Sequence, residues 1–127
     1  DSLLKGNEKI MLVDDEASLV ELGELMLTSL GYNVFSTTNV LLALDEFLKD
    51  PKAFDLIYTD QTMSNMTGLE FSQKIFGIRK DIPVIIATGY SSVLNEGTAL
   101  EKGISCILKK PVSKNQLASN IRKILDS

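Results

Sequence analysis

Short apolar runs alternate with amphipathic stretches along almost the whole chain. The runs are Ile10-Met11-Leu12-Val13, Val34-Phe35, Leu56-Ile57-Tyr58, Val84-Ile85-Ile86-Ala87 and the segment from Ile104 to Leu108. Most are continuous, the pattern of strands in a parallel sheet covered on both faces. Between them the apolar positions recur at helical spacing. Leu19, Leu22, Met26 and Leu30 mark a first helix, stopped by Gly31. Leu41, Leu44 and Leu48 mark a second, ended by Asp50-Pro51. Leu69, Ser72, Ile75 and Phe76 predict a third; residues 93–102, broken by Gly97 and closed by Gly103, a weaker fourth; Leu117, Ile121 and Ile124 the last. Strands alternating with helices in this way predict a doubly wound α/β domain over residues 8–127. Residues 1–7 are mostly polar and without period, and read as a linker or an expression remnant. The first residue is not Met, which points to a piece of a longer chain.

In a sheet of this kind the functional crevice lies beyond the carboxyl ends of the strands. Those ends read Val13-Asp14-Asp15-Glu16, Tyr58-Thr59-Asp60, Ala87-Thr88-Gly89 and Leu108-Lys109-Lys110-Pro111. If the strands are parallel, carboxylates, a hydroxyl and an ammonium meet on one edge. Clustered carboxylates raise one another's pKa unless a cation neutralises them. Mg²⁺ suits them, because it takes hard oxygen ligands and keeps water and phosphate in its shell; Mn²⁺ is the alternative ion. With the ion beside it Asp60 would stay ionised and able to attack phosphorus, while Thr88 could donate to one phosphoryl oxygen and Lys110 balance charge on another.

Composition narrows the chemistry. There is no histidine, which removes Ser-His and Cys-His catalysis, histidine metal sites and an internal phosphohistidine together. The single Cys106 cannot pair within the chain and suits a reducing, cytoplasmic setting; its apolar strand predicts a core position. A net charge of −4 argues against a nucleic-acid partner. The apolar runs are too short to insert in a membrane, and no signal peptide opens the chain. Asp14-Asp15-Glu16 stands where a dinucleotide-binding fold would need Gly-x-Gly-x-x-Gly.

Asp14-Asp15 after the first strand, Asp60 after the third, Met66-Thr67-Gly68-Leu69-Glu70 opening the third helix, Thr88 after the fourth strand and Lys110-Pro111 after the fifth resemble the receiver domain of two-component response regulators. The resemblance runs from about Glu8 to Asp126. It implies a flavodoxin-like five-stranded parallel sheet in the order 2-1-3-4-5 with five helices. It implies that Asp60 is the phosphoacceptor, that Asp15 binds Mg²⁺ directly and Asp14 mainly through water, and that the Thr62 backbone carbonyl is a further ligand. It also implies that Thr88 and Lys110 contact the phosphoryl group and that the Lys110-Pro111 peptide is cis. The implied partner is a histidine kinase or histidine phosphotransfer domain. Gly97 and the weak apolar stripe make the fourth helix the expected mobile element, and output should pass through protein contacts or through further domains. Lys109 should face solvent. The segments from Thr62 to Phe71 and from Ala87 to Ser91 look most like receivers of hybrid sensor histidine kinases, which would make this the cytosolic part of a membrane-anchored sensor.

Three positions depart from the family pattern. Ser64 stands where Pro is frequent, which should leave the loop after Asp60 less rigid. Ile107 replaces the aromatic switch residue that usually lies three before the Lys, so output should work differently. Tyr90, two past Thr88, is placed to shield a phosphoryl group from water.

Plainer readings stand beside these. Asp14 and Asp15 also suit the start of a helix, Asp60 a turn, and Thr88 an ordinary strand end. A stand-alone regulator would share the motifs. An aspartyl-nucleophile phosphatase would share Asp60, but it needs a second acid two residues on, where this chain has Thr62.

Overall fold

The structure is a computed structural model and describes residues 4–89 and 94–127. Strands β1 (Lys9–Val13), β2 (Asn33–Thr37), β3 (Leu56–Asp60), β4 (Val84–Thr88) and β5 (Cys106–Lys109) alternate with helices α1 (Ala17–Ser29), α2 (Val40–Lys49), α3 (Gly68–Phe76), α4 (Glu96–Glu101) and α5 (Lys114–Leu125). The sheet order is β2-β1-β3-β4-β5 and all four pairings are parallel. The predicted topology is therefore the observed one. β3 and β4 are buried along their whole length, which is why they carry continuous apolar runs.

Each face of the sheet has its own core. Met11, Val13, Ile57 and Ile86 pack with Phe47, Phe54, Phe71 and Ile75 on one side. Ile10, Leu12, Leu56 and Ile85 pack with Leu27, Leu117 and Ile121 on the other. Two helices sit differently from the leucine stripes. α1 buries Val20, Gly23 and Leu27, while Leu22 is 50% exposed. α2 buries Val40, Ala43 and Phe47, while Leu41 and Leu48 face solvent. In each helix one buried position is small, Gly23 in α1 and Ala43 in α2. A Cβ on Gly23 would lie 2.9 Å from Leu12 Cδ2, so the backbone of α1 comes close to the sheet there, while Leu22 is left outside.

Helices α2 to α5 start on side-chain caps, whereas α1 does not. Thr67 and Glu70 close a capping box on α3, and Ser113 and Gln116 another on α5. The predicted stop of the first helix is real: Gly31 has φ +99°, and any Cβ there would strike the Gly6 carbonyl oxygen. The segment before β1 is tied down. Gly6 N–H donates to Leu30 O at 3.0 Å, and Asn33 Nδ2 to Asn7 O at 3.1 Å. Arg122 on α5 donates to Lys5 O at 3.3 Å and to both Glu8 oxygens, at 3.0 and 2.6 Å, and pairs with Asp126 at 3.0 Å.

The Arg122 hydrogen bond holds the Glu8 carboxyl below its ordinary pKa. A depressed carboxyl contributes stability above the unfolded pKa and loses it as pH falls through the folded one. Arg122→Ala should therefore cost about 2 kcal/mol at neutral pH. The gap to the wild type should narrow as pH drops below about 4; thermal melts across that range check this.

Candidate functional site

Three of the tips named from the sequence converge through side chains. β1 carries the chain to Asp14, β3 to Asp60, and the turn after β5 to Lys110. Lys110 Nζ lies 2.9 Å from Asp60 Oδ1 and 3.3 Å from Asp14 Oδ2. The two carboxylates are about nine-tenths buried, at 8% and 9% side-chain exposure. They remain reachable through a cavity of about 320 Å³ lined by Asp14, Asp60, Lys110, Tyr58, Leu22 and Met26.

Backbone hydrogen bonds set these groups. Asp14 N–H donates to Thr37 O at 3.3 Å, and Asp14 Oδ1 accepts from Glu16 N–H at 2.9 Å. Asp14 thus supports the turn into α1, whose N-cap is Glu16 without a side-chain cap. Lys110 N–H donates to Thr88 O at 2.8 Å across a cis Lys110-Pro111 peptide, the isomer the family pattern implies. Asp60 is anchored by the residue after it. Buried Gln61 donates N–H to Ala87 O at 2.9 Å, accepts from Gly68 N–H at 2.9 Å and takes Leu69 N–H on Oε1 at 3.0 Å. Gly68 is required there, because a Cβ would collide with the Asp60 carbonyl oxygen.

The electrostatics follow from this packing. Burial raises the Asp60 pKa; the Lys110 hydrogen bond opposes the rise and the Asp14 charge adds to it. Burial lowers the Lys110 pKa, but its hydrogen bond to Asp60 and the charges of both carboxylates outweigh that, and the ammonium ends above its ordinary value. The Tyr58 hydroxyl is pushed up by burial and then by Asp14 and Asp60.

The remaining candidates are close by but placed differently. Asp15 is exposed, and its Oδ2 accepts from Ser64 N–H at 2.8 Å and Ser64 Oγ at 3.2 Å. Thr62 is exposed on the loop after Asp60. Thr88 is buried at the tip of β4; what links it to the cluster in this structure is its carbonyl on Lys110 N–H. Ile107 is half-buried in β5 opposite Ile86 and packs against the core that Phe71 and Ile75 share. Tyr90 lies outside the described residues. Lys109 is 80% exposed and 3.8 Å from Glu96, as expected of a solvated neighbour. Cys106 is only half-buried, at the margin of a core beside Asn120, because β5 is an edge strand; burial raises its thiol pKa.

The donor set suits a hard divalent ion: two buried carboxylates share one crevice, with a third one residue away along the chain. Among the described residues, however, no three acidic side chains converge as a metal-holding group. The side chain that departs is Asp15, held on Ser64. Sequence reasoning did not find the Ser64 contact or the Gln61 anchor. Ser64 was visible only as a missing proline, and Gln61 has no motif to mark it.

A family model for the response regulator receiver domain matches residues 10–122. The probable transcriptional regulator ycf27 of Porphyra purpurea is 36% identical over 120 residues, 93% of this chain and 47% of that protein. The transcriptional regulatory protein ZraR of Escherichia coli strain K12 is 33% identical over 119 residues, 94% of this chain and 26% of that protein. The chain thus spans half or less of the curated relatives it matches. Among solved structures, a response regulator receiver domain protein from Clostridium thermocellum superimposes with a TM-score of 0.89 at 26% identity, covering 94% of each chain. A CheY-like receiver domain protein from Methanospirillum hungatei gives 0.85 at 26% identity, covering 95% of each. With the sheet order, the tip residues and these likenesses in agreement, the chain belongs to the response regulator receiver domains.

Proposed function

We propose that the domain is the phosphoacceptor of a two-component phosphorelay and takes its phosphoryl group on Asp60. The observation that carries this is a carboxylate at the tip of β3, nearly buried, paired with Lys110 at 2.9 Å and open to a cavity. The donor is a phosphohistidine on a histidine kinase or phosphotransfer partner, since the chain has no histidine. An Asp60 oxygen attacks phosphorus, the N–P bond breaks, and the imidazole nitrogen keeps its electron pair. Lys110 balances charge on the transferred group, and Thr88 is the candidate hydroxyl donor to it. Asp14, Asp15, Asp60 and the Thr62 carbonyl are the candidate ligands of Mg²⁺, or Mn²⁺ in its place. The ion would offset the carboxylate charge that otherwise repels phosphate.

Thr62 stands where an aspartyl phosphatase needs its second acid, which favours accumulation of phosphoaspartate over turnover. The likeness of the Thr62-to-Phe71 segment to hybrid-kinase receivers supports a place in a hybrid sensor histidine kinase. The transcriptional regulators ycf27 and ZraR, of which it spans 47% and 26%, favour instead the receiver of a longer regulator. Nucleic-acid contact is assigned in either case to other parts of such a protein, because this domain carries a net charge of −4. We place the domain in the cytoplasm, because its single cysteine suits a reducing setting.

Intact-mass analysis after incubation with acetyl phosphate and Mg²⁺ tests the central claim. One phosphoryl adduct is expected on the wild type and none on Asp60→Asn. An adduct on both proteins, or on neither, overturns it.

A further inference from the structure

The loop after Asp60 contains a contact that a proline in the same place could not make. Ser64 gives both its N–H, at 2.8 Å, and its hydroxyl, at 3.2 Å, to a single oxygen of Asp15, forty-nine positions away in sequence. Next to it, Asn65 takes a left-handed backbone conformation, φ 75°, which Asn tolerates better than most residues. Asp14 and Asp60 meet at Lys110, while Asp15 is drawn to the loop, so the three carboxylates do not come together.

We propose that Ser64 is a positioning residue that restrains Asp15 and thereby sets how tightly the site takes a divalent ion. The inference rests on the reading of Asp15 as a metal ligand. A carboxylate oxygen accepting two hydrogen bonds has less charge to offer a cation, and its side chain is held on the loop side. If Asp15 joins Asp14 and Asp60 around an ion, the oxygen held by Ser64 is drawn away from it, and the carboxylate turns only as far as the Ser64 contacts allow. The loop that donates them also carries Thr62, so Ser64 links two arms of the site, one from β1 and one from β3. The restraint belongs to this sequence: a proline has no N–H to give and no hydroxyl.

Calorimetric titration with MgCl₂ of wild type, Ser64→Ala, Ser64→Thr and Ser64→Pro tests this without any phosphoryl donor. Ser64→Pro loses both donors and should bind Mg²⁺ about tenfold more tightly. Ser64→Ala loses only the hydroxyl and should gain about threefold. Ser64→Thr keeps both donors and should match the wild type. Equal or weaker binding by Ser64→Pro overturns the proposal. If Ser64→Pro no longer melts cooperatively in EDTA, Ser64→Ala decides, and equal or weaker binding by it overturns the proposal. A wild type that binds no Mg²⁺ at all refutes instead the metal-site reading beneath it, and with it this one.

Discussion

Asp60→Asn should unfold at a higher temperature than the wild type while losing all phosphoryl uptake. The side chain is buried next to Asp14, and burial holds its carboxyl above the ordinary pKa. A carboxyl with a raised folded-state pKa binds its proton more tightly folded than unfolded. Stability therefore falls as pH rises through the window from the unfolded pKa to the folded one, and the cost persists at neutral pH. Asn keeps the shape, removes the charge, and leaves Lys110 to Asp14. The gain should be on the order of 1 kcal/mol, or about 4 °C for a domain of this size. It should shrink as pH is lowered into the carboxyl range, where Asp60 of the wild type takes up its proton. Melting curves in EDTA at several pH values read this directly. A melting temperature below the wild type's would mean that Lys110 more than compensates the buried charge.

Lys110→Ala should act in the opposite direction and more strongly. It leaves Asp14 and Asp60, both nine-tenths buried, facing each other with no cation between them. Removing one partner of a buried ion pair typically costs about 3–5 kcal/mol. Here the ammonium is 24% exposed and the cavity admits water, so about 2–3 kcal/mol is the expectation at neutral pH. Protonation of one carboxylate relieves the repulsion, so the loss should be smaller under mild acid. Added MgCl₂ should recover part of it, because the ion takes over the neutralising role. A loss that ignores both pH and Mg²⁺ would locate the role of Lys110 in packing of the cis turn rather than in charge.

The strands were readable because continuous apolar runs are a direct consequence of a sheet covered on both sides, and the site edge because the crevice of such a sheet lies at the carboxyl ends of its strands; the strand order followed only from the resemblance to receiver domains. Helix rotation was less readable. In α1 and α2 the leucines advertise a stripe, yet the inner faces are Val20, Gly23 and Leu27 and Val40, Ala43 and Phe47, with Gly23 letting the backbone of α1 come close to Leu12. Asp14, Asp60 and Lys110 could be named in advance because they stand together with the other motifs, in order, at the carboxyl ends of the strands; singly, each also suits a helix start, a turn or a solvated surface. Their division of labour could not be named. That Asp14 shares Lys110 with Asp60 while Asp15 turns to Ser64 depends on loop geometry, which no periodicity encodes. Gln61 escaped for a related reason: its work is done mostly by backbone groups, which every residue possesses.

Gln61 also has a bearing on movement. Its amide, carbonyl and side chain are committed to β4 and α3, so the peptide that follows Asp60 is stitched on two sides at once. An added charge on Asp60 thus finds a fixed pedestal beneath it. A further tie lies three residues on, where Ser64 fastens the same loop to Asp15 just past the end of β1, so the loop is held from β1 as well as from its own strand.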